Sequence, residues 1–494
     1  MRTRQQAEEL ARSIPIMPFV DGQWLDQQNP QSFPVIDPTT EKTLTGVAET
    51  GDAGVDCAVS AARRALDTGS WGRLDGAARG QLLNMLADLI EQRAEDFADL
   101  ECLDVGKPAI EPRVIDLPQT IATLRHFAGW ADKIEGRTIP TPGHMGQPTL
   151  SYTVRQPIGV VAAITPWNSP TMIGSWKLAP ALAAGCPVIL KPPEDAPLTS
   201  LLLAELVVQA GFPAGALAVL PGRGATTGTA LVQHPGVDKI SFTGSPETGQ
   251  IVAAAAARGF RPTTLELGGK SPQIVFADAD LEAAADGVAL GVFANQGEVC
   301  AAGSRILVDR SVHDEFVELL ANRAGKVVVG DPFEPGTTMG ALINAKQRAR
   351  VQGYIDRGRE EGAHPVIGGG RSEHDVGYFV EPTLFTAATN EMTIAREEIF
   401  GPVGAIIAFD DVDRAVAIAN DSRYALAATV WTRELSRAHD IARRIQAGAV
   451  AINGWSPLDP RLPWGGSKHS GLGRELGRAG IDENTEEKTI TIVL

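Results

Sequence analysis

The sequence has few cysteines and no cluster of metal-ligating residues. Only four cysteines occur in 494 residues, and no two of them have the short spacing that metal sites and redox dithiols use. The eight histidines also form no ligand-spaced group, so we expect no metal. This sparse use of cysteine fits a reduced chain in the cytoplasm.

The sequence also lacks long apolar runs and an excess of positive charge. Its longest apolar runs, such as PIGVVAAITPW, are shorter than the roughly 18 residues that span a bilayer. The 44 Lys and Arg residues are outnumbered by 60 Asp and Glu residues, which gives a formal net charge of -16. Because anionic membranes and nucleic acids would repel such a chain, we expect neither as a partner.

What the chain does contain is a regular alternation of short apolar strands with helical stretches. From Ile158 the series reads IGVVAAI, TMIGSWKLAPALAAG, CPVILK and LTSLLLAELVVQAG, and a second series begins near Ser271 with SPQIVFAD. Repeated units of this length predict doubly wound parallel sheets, with a ligand crevice beyond the carboxyl ends of the strands. The length predicts two or more domains, and we place a boundary in LELGGKSP, residues 265–272.

Several segments that follow predicted strands carry possible chemistry. Gly244 in FTGSPETG opens a helix, as a phosphate cradle would, although a simple glycine turn explains it equally well. In ILKPPE, Glu194 could accept hydrogen bonds from ribose hydroxyls, or it could form a solvated charge pair with Lys191. Asn168 in TPWNSP is either a rigidly held amide that donates a hydrogen bond to an oxyanion or an ordinary turn-forming residue. None of these segments decides the function alone.

Two further residues are candidates for covalent and acid–base chemistry. Cys300 lies in FANQGEVCAAGSR among small and polar residues, whereas a cysteine that only fills a core usually has apolar neighbours. It is therefore either a nucleophile or an inert thiol. Glu266 in LELGG follows an apolar strand, where burial could raise its pKa toward that of a general base. A paired structural acid is the alternative for Glu266.

Together these segments resemble one family, the NAD(P)-dependent aldehyde dehydrogenases. The resemblance rests on TPWNSP, KPPEDAPLTS, FTGSPETG, LELGGKSP, NQGEVCAAGSR, EEIFGPV and LPWGGSKHSGLGRE, taken in order from Thr165 to Glu475. It implies an α/β fold with a Rossmann-like nucleotide-binding domain, an α/β catalytic domain and a small β oligomerisation arm. The implied bounds are 1–137 and 158–267 for the NAD-binding domain, 268–466 for the catalytic domain, and 138–157 with 467–494 for the arm and C-terminal segment.

The resemblance also implies roles for individual residues. Cys300 is the expected nucleophile, Asn168 the oxyanion amide and Glu266 the general base. The presence of Glu266 favours hydrolysis of the acyl group to a free acid over its transfer to coenzyme A. The implied cofactor is NAD, with NADP as a weaker alternative, and its expected contacts are Thr165, Pro166, Trp167, Lys191, Glu194, Gly244, Ser245, Gly268, Glu398 and Phe400.

The substrate tunnel implied by the resemblance departs from the family pattern. Its expected lining is Ser169, Ile173, Trp176, Ala294, Trp455, Arg461 and Trp464. Ser169 and Ala294 stand where many relatives with small substrates carry aromatic rings, so we expect a bulky hydrophobic aldehyde, aromatic or terpenoid. Arg461 would instead select a semialdehyde or an anionic aryl aldehyde if it faced the tunnel mouth, unless it pairs with Asp459 on the surface.

Glu298 is a second departure, because many relatives carry Gln two residues before the nucleophile. An acid there would raise the pKa of the Cys300 thiol if its side chain pointed inward.

The same resemblance predicts an assembly. TIPTPGHMGQPTLSYTVRQP and ENTEEKTITIVL are similar to the family's oligomerisation arm and its partner strand, so we expect a homodimer or homotetramer. Two other classes remain open, a cysteine hydrolase without redox chemistry and a structural protein. Retention of Cys300, Glu266 and Asn168 together argues against the structural protein, and the KPPE segment argues against a hydrolase without a nucleotide.

Overall fold

The chain is built around two large, mostly parallel β-sheets. The computed structural model describes residues 2–27, 30–370, 372–455 and 458–494. The α-helices are Arg4–Ser13, Asp52–Asp67, Gly76–Gln92, Ala94–Asp104, Leu117–Ala128, Pro170–Ala184, Leu198–Gln209, Thr229–Gln233, Pro246–Ala257, Leu281–Phe293, His313–Ala324, Ala345–Glu360, Thr393–Arg396, Val412–Asn420, Leu435–Arg444 and Gly477–Asp482. Shorter 3₁₀ segments are Trp71–Arg73, Ala294–Gly297 and Arg310–Val312, and π-helical turns are Pro112–Asp116 and Gly224–Gly228.

The first sheet has a doubly wound parallel centre with antiparallel strands at its edges. From edge to edge its strands are Gln23–Trp24, Phe19–Val20, Leu217–Val219, Val188–Lys191, Val161–Ile164, Lys239–Thr243, Thr263–Glu266 and Gly471–Leu472. In chain order, Val161–Ile164 is the first of the parallel strands. In the sheet it lies between the second, Val188–Lys191, and the fourth, Lys239–Thr243. The topological switch point of the sheet is therefore next to this strand.

Alternate residues of these strands face two different apolar cores. Val161 and Ala163 pack in a cluster with residues of the helix Pro170–Ala184, whereas Ala162 and Ile164 pack in a second cluster with residues of Asp52–Asp67. Successive strand side chains point to opposite faces of a sheet, so both faces here must be apolar. This explains why the strand sequences read as continuous apolar runs.

The second sheet repeats this design with its own helices. From edge to edge its strands are His364–Ile367, Thr383–Thr386, Val403–Phe409, Arg305–Asp309, Pro272–Val275, Ala427–Trp431 and Ala449–Ile452. Leu307 packs on one face in a cluster that includes residues of the helix Ala345–Glu360. Ile306 and Val308 pack on the other face in a cluster that includes residues of Leu281–Phe293.

A small antiparallel sheet is formed by residues from the two segments predicted to form the arm. Thr485–Val493 pairs with Thr149–Pro157 along its full length, and Thr138–Ile139 adds to the other side. Two further antiparallel pairs join Ser32–Ile36 with Thr43–Ala48 and Tyr424–Ala425 with Ser467–Lys468. Within the described ranges, no helix combines the length and the apolar character that crossing a bilayer requires. The proposed division into domains stays a prediction, and Gly471–Leu472, predicted with the C-terminal segment, pairs with the first sheet.

Candidate active site

Several of the expected cofactor and catalytic residues lie at the ends of strands that finish at the same edge of the first sheet. Ile164 is in register with Lys191 on one side and with Phe242 on the other, and Thr243 is in register with Glu266. Because parallel strands end together, the segments after them converge at the switch point. The structure therefore brings together Thr165, Pro166, Trp167 and Asn168 with Lys191, Gly244, Ser245 and Glu266.

The loop that carries Cys300 begins where the helix Leu281–Phe293 ends. Asn295 and Gln296 have φ angles of 46° and 56°, a left-handed conformation that non-glycine residues seldom adopt. Buried contacts hold this turn, because the Asn295 backbone N–H donates to the Glu111 carboxyl oxygens at 2.9 and 3.0 Å. The Gly340 N–H donates to the Gln296 side chain at 3.2 Å. Half-buried Cys300 is thus presented by a tightly constrained backbone.

Asn168 is hydrogen-bonded directly to the loop that carries Cys300. Its side-chain amide donates to the Glu298 carbonyl oxygen at 2.8 Å, and the Asn295 amide donates back to the Asn168 carbonyl oxygen at 2.9 Å. Asn168 is 5% exposed. The Asn168 amide nitrogen carries a second N–H group, so this clamp leaves one donor for a developing oxyanion.

The surroundings of Cys300 disfavour the thiolate before substrate arrives. The pKa of the Cys300 thiol is raised to about 12, mainly by burial and then by the charges of Glu398 and Glu266, while the backbone N–H groups of Ala301 and Cys300 act to lower it. A thiol must lose its proton to become a strong nucleophile. Activation therefore requires a change in the site's electrostatics or a base that accepts this proton.

Glu266 is a buried acid without a hydrogen-bond partner among the described residues. Its side chain is buried, and among the described residues neither carboxyl oxygen has a hydrogen-bond partner. A Cβ at Gly465 would lie 2.5 Å from Glu266 Oε1, so the glycine leaves the carboxyl group its space. Burial and then the charge of Glu475 raise the pKa of Glu266 well above its usual value, while Lys177 and Arg474 lower it.

Glu398 and Phe400 lie against the segment that follows Glu266. Glu398 Oε1 accepts a hydrogen bond from the Gly269 N–H at 2.9 Å, and burial raises the pKa of Glu398 to about 7. A Cβ at Gly268 would lie 2.1 Å from Glu398 Oε2, so the glycine leaves the Glu398 carboxyl group its space. The Phe400 ring meets Trp167 edge to face, with centroids 5.2 Å apart and planes at 90°.

Lys191 and Glu194 contact each other at the carboxyl end of the strand Val188–Lys191. Lys191 Nζ is 3.3 Å from Glu194 Oε2, and this oxygen also accepts from the Gly224 N–H at 3.2 Å. Lys191 is buried, whereas the Glu194 side chain is 44% exposed and remains accessible to a ligand. Exposed Ser245 caps the helix Pro246–Ala257, where the Thr248 N–H donates to its hydroxyl group at 3.2 Å.

The expected substrate-pocket residues do not all line one cavity. Trp455 and Trp464 line a cavity of about 250 Å³ next to the loop that carries Cys300, together with Ala301, Asp459 and Leu462. Trp176 packs against Trp464 with ring centroids 6.1 Å apart, while Ile173 and Ala294 are buried. Residues 456–457, which follow Trp455 and precede the loop that carries Arg461, lie outside the described residues.

Arg461 and Glu298, the two charged residues whose direction the sequence left open, have defined partners. The Arg461 side chain is 75% exposed, and its Nε donates to Asp459 Oδ1 at 2.8 Å, as in the surface-pair alternative. Buried Glu298 directs its Oε1 to the Ile343 N–H at 3.1 Å, so its carboxyl group binds backbone. Burial raises the pKa of Glu298 well above its usual value, which favours the neutral acid.

Sequence reasoning did not identify several residues that shape the site. Lys177 binds Glu475 at 2.6 Å, and both influence the charge of Glu266. Lys107 donates to the Ser169 hydroxyl group at 3.0 Å and binds Asp116 at 2.7 Å in a fully buried cluster. Lys177 is a single lysine in the apolar helix Pro170–Ala184. This isolated charge is the sequence feature that could have identified it.

Comparisons with known proteins agree with this geometry. Residues 24–490 match the aldehyde dehydrogenase family. The chain is 44% identical over 490 residues to the mitochondrial aldehyde dehydrogenase of Homo sapiens, covering 99% of this chain and 93% of that protein. It is 45% identical over 476 residues to cytosolic aldehyde dehydrogenase 1 of Rattus norvegicus, covering 96% of this chain and 94% of that protein.

Solved structures give the same result. An aldehyde dehydrogenase from Bacillus cereus, solved as an NAD⁺ complex, has a TM-score of 0.96 and 42% identity, covering 99% of this chain and 98% of that one. An indole-3-acetaldehyde dehydrogenase from P. syringae, solved with NAD⁺ and IAA, has a TM-score of 0.96 and 42% identity over the whole of both chains. The site and fold define an oxidoreductase. The chain belongs to the aldehyde dehydrogenase family, which confirms the predicted family, fold and enzyme class.

Proposed function

We propose that this enzyme oxidises an aldehyde to the carboxylic acid with NAD and water. The Cys300 thiolate attacks the aldehyde carbon, and the resulting oxyanion accepts hydrogen bonds from the Asn168 amide and the Cys300 backbone N–H. NAD, when bound, supplies the acceptor for the hydride that leaves this carbon. Glu266 then removes a proton from water as the water attacks the Cys300 thioester, and the acid is released with the thiol restored.

The environment of Glu266 is the observation that carries this proposal. Its buried carboxyl group has no hydrogen-bond partner among the described residues, and it influences the charge of the Cys300 thiol. Leaving such a group unpaired costs free energy, so a purely structural role is a poor explanation. Rapid mixing with NAD and aldehyde tests the proposal, since one equivalent of NADH per active site should form before steady turnover.

The residues at the switch point fit a dinucleotide. Glu194 presents a partly exposed carboxylate at a strand's carboxyl end, and the helix Pro246–Ala257 directs its N-terminus there. A carboxylate accepts hydrogen bonds from ribose hydroxyl groups and repels a 2′-phosphate, whereas a helix N-terminus favours phosphate. We therefore assign Thr165, Pro166, Trp167, Lys191, Gly244, Ser245, Gly268, Glu398 and Phe400 to the same cofactor site.

The cofactor preference can be tested by comparing NAD with NADP. Glu194→Gln removes the charge and keeps the size of the side chain, so kcat/KM for NADP should rise about tenfold or more. Exposed Glu315 is a matched control, and Glu315→Gln should leave the ratio of kcat/KM for NADP to kcat/KM for NAD unchanged. A wild-type preference for NADP would contradict the assignment.

For the substrate we propose a bulky hydrophobic aldehyde. The walls formed by Trp455, Trp464 and Leu462 support an aryl or terpenoid group, and the pairing of Arg461 with Asp459 weakens the case for an anionic substrate. The test compares kcat/KM for acetaldehyde, benzaldehyde, a branched ten-carbon enal and 4-formylbenzoate. Best activity on acetaldehyde would exclude a wide pocket. A preference for 4-formylbenzoate that Arg461→Ala removes would instead establish an anion anchor.

The arm sheet supports an oligomer. Its described surface carries exposed apolar side chains, among them Ile139, Leu150, Ile492 and Val493. Exposed apolar residues on a small sheet favour its burial against another subunit. We propose a homodimer or homotetramer through residues 138–157 and 467–494, with a cytoplasmic location from the cysteine usage.

A further inference from the structure

Asn295 lies between the oxyanion amide and the nucleophile, and the proposed mechanism gives it no role. Its side-chain nitrogen donates to two buried carbonyl oxygens, that of Asn168 at 2.9 Å and that of Glu298 at 3.3 Å. Asn168 donates to the same Glu298 oxygen at 2.8 Å. Three hydrogen bonds therefore join the two asparagines and the Glu298 peptide group in a closed ring, two positions before Cys300.

The ring leaves one donor free. A carbonyl oxygen has two lone pairs, and the two amides use both lone pairs of the Glu298 carbonyl oxygen. Asn295 also uses both of its side-chain N–H groups, whereas Asn168 uses one of its two. An amide group is planar, so fixing one N–H of Asn168 fixes the direction of the other. The ring therefore determines where the free N–H of Asn168 points.

The orientation of the Asn295 amide is set by a chain of donors. The Gly340 N–H donates to Gln296 Oε1 at 3.2 Å, so the Gln296 side-chain nitrogen faces the other way. That nitrogen donates to Asn295 Oδ1 at 3.4 Å. Turning the Asn295 amide over would place N–H against N–H at this contact and oxygen against two carbonyl oxygens in the ring. A backbone donor thus selects the amide orientation that the ring requires.

The backbone of Asn295 is held in the conformation that the ring needs. Its φ of 46° and ψ of 45° are left-handed, a region that asparagine adopts more readily than most residues. Its N–H donates to both Glu111 carboxyl oxygens, and its carbonyl oxygen accepts from the Glu298 N–H at 2.8 Å. Such backbone strain persists only where the surroundings enforce it, and it concentrates at functional sites.

We propose that Asn295 is a positioning residue for aldehyde oxidation, which directs the free N–H of Asn168 toward the oxyanion on the Cys300 adduct. The inference rests on the proposed function of Asn168. Oxyanion stabilisation depends on donors that already point to where charge develops. Without the Asn295 amide, the Asn168 carbonyl loses its hydrogen bond and the Asn168 amide is held by only one contact. Asn295 itself has no N–H left for the reacting atoms.

Asn295→Gly tests this role, because glycine adopts the left-handed conformation freely and lacks the amide. At saturating NAD and aldehyde, the rate of the NADH burst should fall about 10–100-fold, as for a misplaced reacting group. Asn453 is the matched control, since its φ is 54° and its side-chain nitrogen donates to the Thr432 carbonyl oxygen at 2.8 Å. Asn453→Gly should keep the wild-type rate. A wild-type rate in Asn295→Gly, or an equal loss in Asn453→Gly, would overturn the proposal.

A double-mutant cycle shows whether Asn295 acts through Asn168. In an Asn168→Ala background, Asn295→Gly should lower the burst rate by about twofold at most, because no amide is left to direct. The same loss in both backgrounds would overturn the proposal. If Asn168→Ala alone keeps the wild-type burst rate, the proposed function of Asn168 fails and the inference fails with it. If only Asn295→Gly keeps that rate, the function of Asn168 stands and the positioning role is refuted.

Alkylation of Cys300 by iodoacetamide separates positioning of Asn168 from displacement of the nucleophile. The thiolate displaces iodide without forming an oxyanion, so this reaction does not need the Asn168 amide. Followed by mass spectrometry on the peptide that contains Cys300, the alkylation rate of Asn295→Gly should equal that of the wild type at the same pH. An alkylation rate that falls as far as the burst rate would show that the loop carrying Cys300 has moved, and would overturn the proposal.

Discussion

Replacing Glu266 by Gln separates the two halves of the proposed reaction. The side chains have almost the same size, and the carboxyl oxygens make no hydrogen bond to the described residues that the variant would lose. We therefore expect little change in folding stability. A positioned general base contributes about 10²–10⁴-fold to a rate, or roughly 3–5 kcal/mol of barrier, so kcat should fall by that factor.

Rapid-mixing spectrophotometry measures this effect. Glu266→Gln should still release about one NADH per active site in a burst, because hydride transfer precedes the step that needs the base. Intact-protein mass after quenching should show an acyl adduct on Cys300, and added hydroxylamine should restore part of the turnover by attacking the thioester directly. Glu315→Gln should behave as wild type. Loss of the burst with steady turnover retained would refute the assignment of Glu266 to deacylation.

Three other predictions follow from the same geometry. Asn168→Ala should lower kcat by about 10²–10³-fold with a smaller change in KM, and an unchanged kcat would remove Asn168 from the oxyanion site. Because burial raises the pKa values of Cys300 and Glu266 and both react as anions, kcat/KM should rise with pH between about 6 and 9. A flat or falling profile would contradict this sign. Light scattering at micromolar concentration should give the mass of a dimer or tetramer. Ile492→Glu should shift the measured mass toward that of a monomer. A monomeric wild type would exclude the arm interface.

The fold was largely predictable because both faces of each large sheet are covered. Strands such as Val161–Ile164 must be apolar on both sides, which makes them visible as short continuous runs between helices. The carboxyl ends of such strands are where ligands bind, so TPWNSP and ILKPPE were recognisable as candidate site segments. Short edge strands such as Gly471–Leu472 had no comparable signal, because their position depends on pairing with the distant strand Thr263–Glu266.

The electrostatics of the site could not be predicted in the same way. Lys177 and Glu475 are 298 positions apart, and only the folded chain brings their charges near Glu266. The direction of Glu298 likewise depends on the Ile343 backbone, which no local pattern specifies. Hydrogen bonds between distant segments decide whether an acid is paired, and sequence spacing does not contain that information.

One comparison decides whether Cys300 carries covalent aldehyde oxidation. Wild-type enzyme and Cys300→Ala are mixed with NAD and the aldehyde panel, and NADH absorbance is followed beside hydrolysis of an activated ester. If Cys300 has this role, the wild type forms NADH, Cys300→Ala forms none, and both retain NAD binding. Dehydrogenation by Cys300→Ala, or ester cleavage by a wild type that forms no NADH, would contradict it.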